Sequence, residues 1–405
     1  MPITLGKFGL GHCDLSTMLW NVAVMLRLVA LDIDPRFKEP IAKPSYFLTT
    51  VLAACYFYVY LISMVWFVFV RCQETGDLLS ALIVFSLGLS SEIAITKYAY
   101  VLLHSGEVRN IVESYLACDN LPALSSRFTA NLARNLKQIK KRALTFWFVI
   151  YGNCVLYILK PILMPGRHVM EDFFILYGLD PMFEAPNYQV AMFTLAASSL
   201  FIAHLTTNIT AFHIIITGYT EAQLLALSDE LIYLWEDIKK EYQGIPGDDD
   251  RNKHYVLNES VKKRLKEIIK RHIINIDLHN KVDDVFRGAI AVEFLLLVLA
   301  LVAELLGGLK NTYMEVPFAL LLVATDCWTG QRVVDACDVF ENSVYDSKWE
   351  NYDKSNMKTI YLVYTMSQKT LTMSAGRVAM LNLACFMSIN KYIYSTYTTL
   401  ESTVR

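Results

Sequence analysis

Hydroxyl side chains recur along one face of the last apolar segment of the chain. Spacings of four, three and four residues separate Tyr392, Thr396, Thr399 and Thr403. In an α-helix such residues share one face, and a line of hydroxyls suits a passage for hydrated cations. The four residues are therefore candidate pore-lining groups. The alternative is a sheltered stripe whose hydroxyls bond to the backbone of their own helix.

Glu401 follows this stripe and lies about 200° from Thr399 around a helix. A carboxylate there would decorate one mouth of the passage and raise the local concentration of cations. A solvated chain end is the alternative reading. We count Glu401 with the pore-lining candidates on the first reading.

The sequence does not predict catalysis. It contains no nucleotide-binding loop, zinc-protease helix, serine-hydrolase elbow or dinucleotide fingerprint. His204 and His213 are better explained as bundle-lining residues bonded to neighbours, and Glu92 and Asp326 are the acids within apolar runs that we expect to meet. We expect no enzyme activity, metal, cofactor or nucleic-acid partner.

Seven apolar runs must position these residues. The chain has 405 residues, of which 54% are hydrophobic, and a helix needs about 20 apolar residues to cross a bilayer. The runs are Tyr46–Val70, Leu78–Thr96, Ala143–Leu159, Tyr188–Thr217, Gly288–Leu309, Tyr313–Trp328 and Leu371–Leu400. The sequence therefore predicts an all-α, polytopic membrane protein with seven transmembrane helices. Charges inside several runs indicate a bundle with a wet centre.

The basic residues predict the orientation of these helices. Of the 37 lysines and arginines, 28 fall before the first run or in the segments after the second, fourth and sixth runs. Basic residues concentrate on the cytoplasmic side of membrane proteins. The N-terminus is therefore predicted to be cytoplasmic, and an odd number of spans places the C-terminus outside the cell.

This topology divides the chain into three parts. Residues 1–45 hold a cytoplasmic amphipathic helix, expected over Asp14–Asp32 with Trp20, Val24 and Leu28 on one side. Residues 46–334 hold the first six spans, with long cytoplasmic helical extensions at 104–142 and 218–287 and a folded outer loop at 160–187. Residues 335–405 hold a cytoplasmic anchor helix and the pore-lining seventh span.

Three stretches near the C-terminus resemble the insect odorant receptor family. The first, Asp326–Tyr352, is similar to the end of the sixth span and the following loop, through Cys327, Gly330, Ser343, Tyr345 and Trp349. The second matches a Gln-Lys and Ala-Gly pattern at Gln368, Lys369, Ala375 and Gly376. The third is similar to the closing span at Phe386, Lys391, Tyr394, Ser395, Thr398 and Leu400.

The resemblance implies the odorant-binding, tuning subunit of a heterotetrameric cation channel in which the other subunit type is a shared co-receptor. It implies a multi-pass protein in the plasma membrane of sensory neuron dendrites, with cytoplasmic helices forming an anchor domain. Thr399 falls where the family usually has an aliphatic gate residue, and a polar residue there departs from the pattern. The resemblance therefore does not decide whether this subunit supplies a gate residue or leaves the gate to its partner. The co-receptor has a longer segment between spans four and five, and the chain lacks the closing motif of gustatory receptors.

In the family the odorant pocket lies in the outer half of the bundle, among spans two, three, four and six. At that depth the candidates are Phe85, Leu89, Tyr151, Cys154, Tyr157, Met192, Phe193, Ala196, Phe318 and Thr325. Tyr151, Cys154 and Tyr157 follow a three-residue spacing, so we expect them to share a helix face. The aromatic residues indicate a small aromatic or heterocyclic volatile.

Other seven-span functions fit the sequence less well. A G-protein-coupled receptor has the opposite orientation and carries Asp-Arg-Tyr or Asn-Pro-x-x-Tyr motifs that do not occur here. A transporter predicts internal repeats and broken spans, and neither is evident. A gustatory-type receptor channel is the nearest alternative.

Overall fold

The computed structural model describes residues 9–242, 250–308 and 312–404, and in these ranges the chain is almost entirely helical. Its helices are α1 Leu15–Leu28, α2 Lys43–Thr75, α3 Leu78–Leu103, α4 Ser105–Asp119, α5 Ser126–Leu163, α6 Asn187–Glu241, α7 Asp250–Gly307, α8 Glu315–Tyr345, α9 Lys354–Ser367 and α10 Leu383–Val404. A two-stranded antiparallel hairpin pairs β1, Ser374–Ala375, with β2, Ala379–Met380. The predicted all-α class is confirmed.

Five helices of the described ranges are long and apolar enough to cross a membrane, namely α2, α3, α5, α6 and the part of α7 from His254 to Gly307. Helix α8 contains most of the predicted sixth span and α10 contains the second part of the predicted seventh, but both carry more polar side chains, among them Asp326 and Lys391. Several apolar helices thus fit a multi-pass membrane protein, while the count of seven rests on the sequence.

Helix α6 is the axis of the bundle. Its side chains are buried on nearly every side from Phe201 to Leu231, because α1, α2, α3, α5, α7 and α8 all pack around it. A helix buried on all sides belongs to the interior of a large bundle. It continues from its apolar run to Glu241 without a break, so it can carry a displacement from one end of the molecule to the other.

The N-terminal helix α1 is shorter and more buried than the sequence predicts. Asp14 caps it by accepting a hydrogen bond from the Thr17 backbone N–H at 2.9 Å. The expected apolar side of Trp20, Val24 and Leu28 is wrong, because Leu28 is exposed whereas Val24 is buried. The helix packs against α6, so it buries most of its circumference rather than a single stripe.

The segment between α5 and α6 folds as a cap. Val169, Met170, Phe174 and Leu176 are buried, and the Phe174 ring meets that of Phe67 on α2 edge to face at 5.6 Å. These contacts explain its apolar composition, because a solvated linker would not bury such side chains.

The predicted seventh span, Leu371–Leu400, is wrong at its start, since α10 begins at Leu383. The preceding residues form the β1–β2 hairpin, where Gly376 has a φ of +61° and donates a backbone hydrogen bond to Arg287 at 2.9 Å. Asp283 accepts hydrogen bonds from the backbone N–H and hydroxyl of Ser374. A left-handed glycine and these contacts to α7 stop a continuous helix.

Candidate functional site

A cavity of about 90 Å³ lies between α2, α3, α5, α6 and α8, near the end of the bundle that the 164–186 segment covers. We name it the loop-side cavity. It is lined by Tyr60, Leu87, Ser90, Ser91, Ile150, Asn153, Cys154, Tyr157, Ser199, Ile202, Ala203, Met314, Glu315 and Phe318. Apolar walls with a few polar groups are typical of sites for small organic molecules.

The polar groups of this cavity are held in place by neighbouring helices. The Cys154 thiol donates to the Ser199 carbonyl oxygen at 3.6 Å, and the Ser90 hydroxyl donates to Glu304 at 3.3 Å. One carboxyl oxygen of Glu315 is buried and has no hydrogen-bond partner in the described part of the chain. The cavity can therefore satisfy a polar atom on a mainly apolar ligand.

Three of the ten odorant-site candidates lie in the loop-side cavity. Cys154 and Tyr157 reach it from α5, and Phe318 reaches it from α8. Phe85 and Leu89 instead line a separate cavity of about 170 Å³ between α2 and α3. Tyr60 borders both cavities, so it is the wall they share.

The other five candidates lie elsewhere. Met192 and Ala196 pack against the apolar cluster around α2, and the Phe193 side chain is 63% exposed on the chain surface. Thr325 borders a groove beside α10. Thr325 lies about two helical turns beyond Phe318, next to Asp326. Helix rotation turns the other three residues away from the loop-side cavity.

Tyr151 also lies outside the loop-side cavity. Its hydroxyl bonds to Nδ1 of His204 at 2.6 Å, and its ring stacks against that of Trp147. Tyr151, Cys154 and Tyr157 were expected to share a face, yet three-residue steps rotate by about 60° each. Two steps are enough to turn Tyr151 toward α6 and α1 while Tyr157 reaches the cavity.

Sequence reasoning missed most of the polar wall. Tyr60 comes from the first apolar run, which was not considered for the site, and Ser199 comes from the small-residue stretch Ala196–Ser199. Small residues in a membrane helix permit close helix approach. That stretch was therefore a signal for which face of α6 borders the cavity.

A buried carboxyl group lies next to the loop-side cavity. Glu171 belongs to the cap between α5 and α6 and is 7% exposed. Burial raises the pKa of Glu171 to about 7, against the opposing effects of the Lys160 charge and the nearby Tyr157 hydroxyl. Its charge therefore changes near neutral pH, beside a tyrosine that lines the cavity.

A buried ionic cluster joins four helices in the middle of the bundle. The Lys97 ammonium of α3 lies 2.7 Å from Glu293 on α7 and 3.8 Å from Asp326 on α8. It also donates to the Thr210 hydroxyl of α6 at 3.3 Å, and Nδ1 of His213 lies 3.9 Å from Asp326. We name these residues the Lys97 cluster.

The expectation that Glu92 meets Asp326 is wrong. Glu92 accepts a hydrogen bond from the Tyr56 hydroxyl on α2 at 2.7 Å, so it faces the opposite side of α3 from the Lys97 cluster. The second acid of the cluster is Glu293 of α7, not Glu92. Buried charges need partners, but the spacing of acids along separate helices does not tell which helix faces meet.

Helix α10 has one packed side and one exposed side. Phe386, Ile389 and Ile393 pack into the bundle core. On the exposed side of the described chain, polar residues recur at steps of three, four and four: Ser388, Lys391, Ser395 and Thr399. The polar exposed side fits a helix that meets water or another subunit, rather than lipid alone.

The predicted pore residues lie partly on the exposed side of α10 and partly at its border with the packed side. Thr399 is exposed and Tyr392 is 63% exposed, whereas Thr396 and Glu401 are half-buried. The Thr399 hydroxyl donates to the Ser395 carbonyl oxygen at 2.9 Å. Thr403 belongs to α10, but its side chain lies outside the described residues.

Comparisons with known proteins agree with this architecture. A sequence model of the 7tm odorant receptor family matches residues 76–394. The structure of the insect olfactory receptor OR5 from Machilis hrabei in complex with eugenol is similar, with a TM-score of 0.75, 13% identity, and coverage of 96% of this chain and 98% of that one. A second OR5 structure gives a TM-score of 0.72 and 14% identity, covering 95% and 98% of the two chains. No curated protein sequence matches.

Proposed function

This chain belongs to the 7tm odorant receptor family, and we propose that it is the odorant-binding, tuning subunit of an odorant-gated, non-selective cation channel. The observation that carries the proposal is the combination of a mainly apolar cavity between helices with a polar-faced terminal helix in one chain. The first supplies a binding site, and the second supplies a wall for a water-filled passage. The proposal assigns the chain no catalytic step.

The loop-side cavity is the proposed odorant site, with Cys154, Tyr157 and Phe318 as contact residues. A small aromatic or heterocyclic volatile fits walls of this kind, and its single polar atom would meet Glu315 or Ser199. Eugenol, the ligand in the similar OR5 structure, is a small aromatic molecule of the same general class. The remaining candidates are assigned to helix packing around the site.

Helix α10 is the proposed pore helix. Its polar side would face a central passage shared with the other subunits, and Tyr392, Thr399 and Ser395 would present oxygen atoms to cations. The proposed partner is the odorant receptor co-receptor in a heterotetramer. Odorant binding can open the passage only if the open state binds the odorant more tightly than the closed state.

The proposed topology has seven spans, a cytoplasmic N-terminus and an extracellular C-terminus. It is supported by the distribution of lysine and arginine. In this orientation the 164–186 cap is extracellular and the loop-side cavity lies in the outer half of the bundle, while α4, α9, the C-terminal end of α6 and the N-terminal end of α7 form the cytoplasmic anchor. The proposed location is the plasma membrane of a sensory neuron dendrite.

Whole-cell current in cells that express this chain with and without an insect co-receptor tests the function. An odorant panel rich in small aromatic and heterocyclic volatiles should evoke a fast cation current only in the co-expressing cells. Current from this chain alone would show that it forms its own pore and would remove the tuning role. If neither kind of cell shows a current, although the protein is at the surface and the panel is complete, the channel proposal would be overturned.

A further inference from the structure

A large groove of about 880 Å³ runs along α10, between that helix and α5, α6 and α8. We name it the α10 groove. It shares no lining residue with the loop-side cavity, and the proposed odorant mechanism does not use it. One end of the groove is basic, with Lys141, Arg142 and Arg332, and the remainder is mostly apolar.

The basic end carries more positive charge than its acidic neighbours neutralise. Arg142 and Arg332 each lie 2.7 Å from the same buried carboxylate, Glu221. Arg332 also lies 3.9 Å from Asp335. Lys141 is exposed and forms no ion pair with any residue in the described ranges. The first residue of α10, Leu383, lines the same groove, so the positive end of that helix dipole adds to the field.

The apolar walls begin where the charges end. On α5 the basic pair Lys141 and Arg142 directly precedes the apolar run that starts at Ala143. On α8 the run ends at Trp328, one helical turn before Arg332, and the Arg142 guanidinium lies over the Trp328 ring at 5.6 Å. This is the order of groups at a membrane interface, with cations and tryptophan at the headgroup level and apolar side chains beyond.

We propose that the α10 groove binds one anionic glycerophospholipid. Its phosphate lies among Lys141, Arg142 and Arg332, and one acyl chain lies along Phe146, Val149 and Leu321. Guanidinium groups bind phosphate oxygens through paired hydrogen bonds, and basic pockets between membrane helices hold anionic headgroups. The proposed orientation assigns the lipid to the cytoplasmic leaflet, whereas binding itself does not depend on that assignment.

The site has a consequence for gating because α10 forms one of its walls. A bound acyl chain would support the packed side of α10 near Phe386 and fix its position relative to α5 and α8. Loss of the lipid would remove its contact with Phe386 and leave the proposed pore helix held by its remaining contacts with α7 and α8. Lipid composition would then change channel opening without any change in the odorant site.

Native mass spectrometry of the purified receptor tests the binding directly and needs neither odorant nor current. The probes are phosphatidylglycerol and phosphatidylcholine with identical acyl chains. We expect preferential retention of phosphatidylglycerol, and a loss of about fivefold in its affinity in Lys141→Gln, because one basic residue near a membrane surface contributes about that factor. Lys358→Gln removes the same charge from an exposed site on α9 and should leave the affinity unchanged.

Two further arms identify the occupant. Glycerol 3-phosphate in excess should not displace the lipid, because the acyl chain supplies the apolar contacts. Leu321→Trp should lower the affinity for both lipids, because the larger ring would fill the part of the groove where the acyl chain lies. Equal retention of the two lipids, or equal affinity of Lys141→Gln and the parent, would overturn the proposal.

Discussion

The loop-side end of the bundle and its middle are held together by different forces. Around the loop-side cavity, α2, α3 and the cap meet through aromatic and aliphatic contacts and leave two cavities between them. In the middle, Lys97, Glu293 and Asp326 join three helices through charges that water does not reach. The two regions are linked by α3 and α6, which run through both.

The difference separates a region that can adapt from one that specifies the fold. Apolar contacts are non-directional, so helices around a cavity can shift to accommodate a ligand at small cost. A buried ion pair tolerates little displacement, because a charge separated from its partner loses several kcal/mol of stabilisation. We therefore expect ligand binding at the loop-side end to move α3 and α6 as whole helices about the middle.

The largest effect is expected from Lys97→Met. Removing the cation leaves the buried Glu293 and Asp326 carboxylates close together without a partner, which costs about 3–5 kcal/mol. Thermal unfolding of the purified receptor and its surface expression would measure the loss. Lys358→Met, on the exposed side of α9, is the matched control. If the two variants unfold at the same temperature, the Lys97 cluster does not stabilise the middle of the bundle.

A smaller effect is expected from filling the loop-side cavity. Cys154→Trp adds a large ring to a space of about 90 Å³, and overpacking of this kind costs about 1–3 kcal/mol. The half-maximal odorant concentration should rise about tenfold, with normal surface expression. Phe193→Trp places the same ring at an exposed candidate and should leave the response unchanged. If Phe193→Trp raised the half-maximal odorant concentration more than Cys154→Trp, the odorant site would be assigned to the exposed face of α6.

The third effect concerns α10, which belongs to neither region. Thr399→Trp should reduce single-channel conductance by roughly half or more, because a ring would narrow a water-filled passage. Tyr394→Trp is the control, since Tyr394 is exposed on α10 but lies away from the Ser395–Thr399 side. Unchanged conductance, ion selectivity and block in Thr399→Trp would exclude this residue from the pore.

The smallest effect is a pH dependence of the cap. The pKa of Glu171 is raised to about 7 from an ordinary 4.5, so between these values the folded state binds more protons than the unfolded state. The stabilisation is therefore complete below the unfolded pKa and is lost as the pH rises through about 7. Unfolding temperatures at about pH 5 and about pH 8 should converge in Glu171→Gln. Glu184→Gln, which is exposed on the same segment, should keep the full difference.

Much of the fold could be predicted from the sequence. Long apolar runs predicted α2 and α6 closely, because a bilayer accepts only segments that satisfy their own backbone hydrogen bonds. The start of α10 could not be predicted, since Leu371–Asn382 is apolar enough to continue the span. Its conformation depends on Asp283 and Arg287 of α7, which lie about 90 residues earlier in the chain.

The candidate site was predicted less well. Depth along each helix could be read from the apolar runs, and three of the residues chosen in this way, Cys154, Tyr157 and Phe318, line the loop-side cavity. Their role in odorant binding stays a prediction. Rotation about each helix axis could not be read, because a change of one residue turns a side chain by about 100°. Phe193 and Tyr151 share the depth of the site, but their helices turn them toward the surface and toward His204.

The sequence by itself determined the helical membrane class and the family, since apolar length and short motifs are local properties of the chain. Only the tertiary structure decided which polar groups meet. Lys97, Glu293 and Asp326 come from three separate helices, α3, α7 and α8. Arg142 of α5 and Arg332 of α8 share Glu221 of α6. Which polar groups meet depends on the rotation and offset of the long helices against one another. Packing of the whole bundle sets the crossing angles between helices.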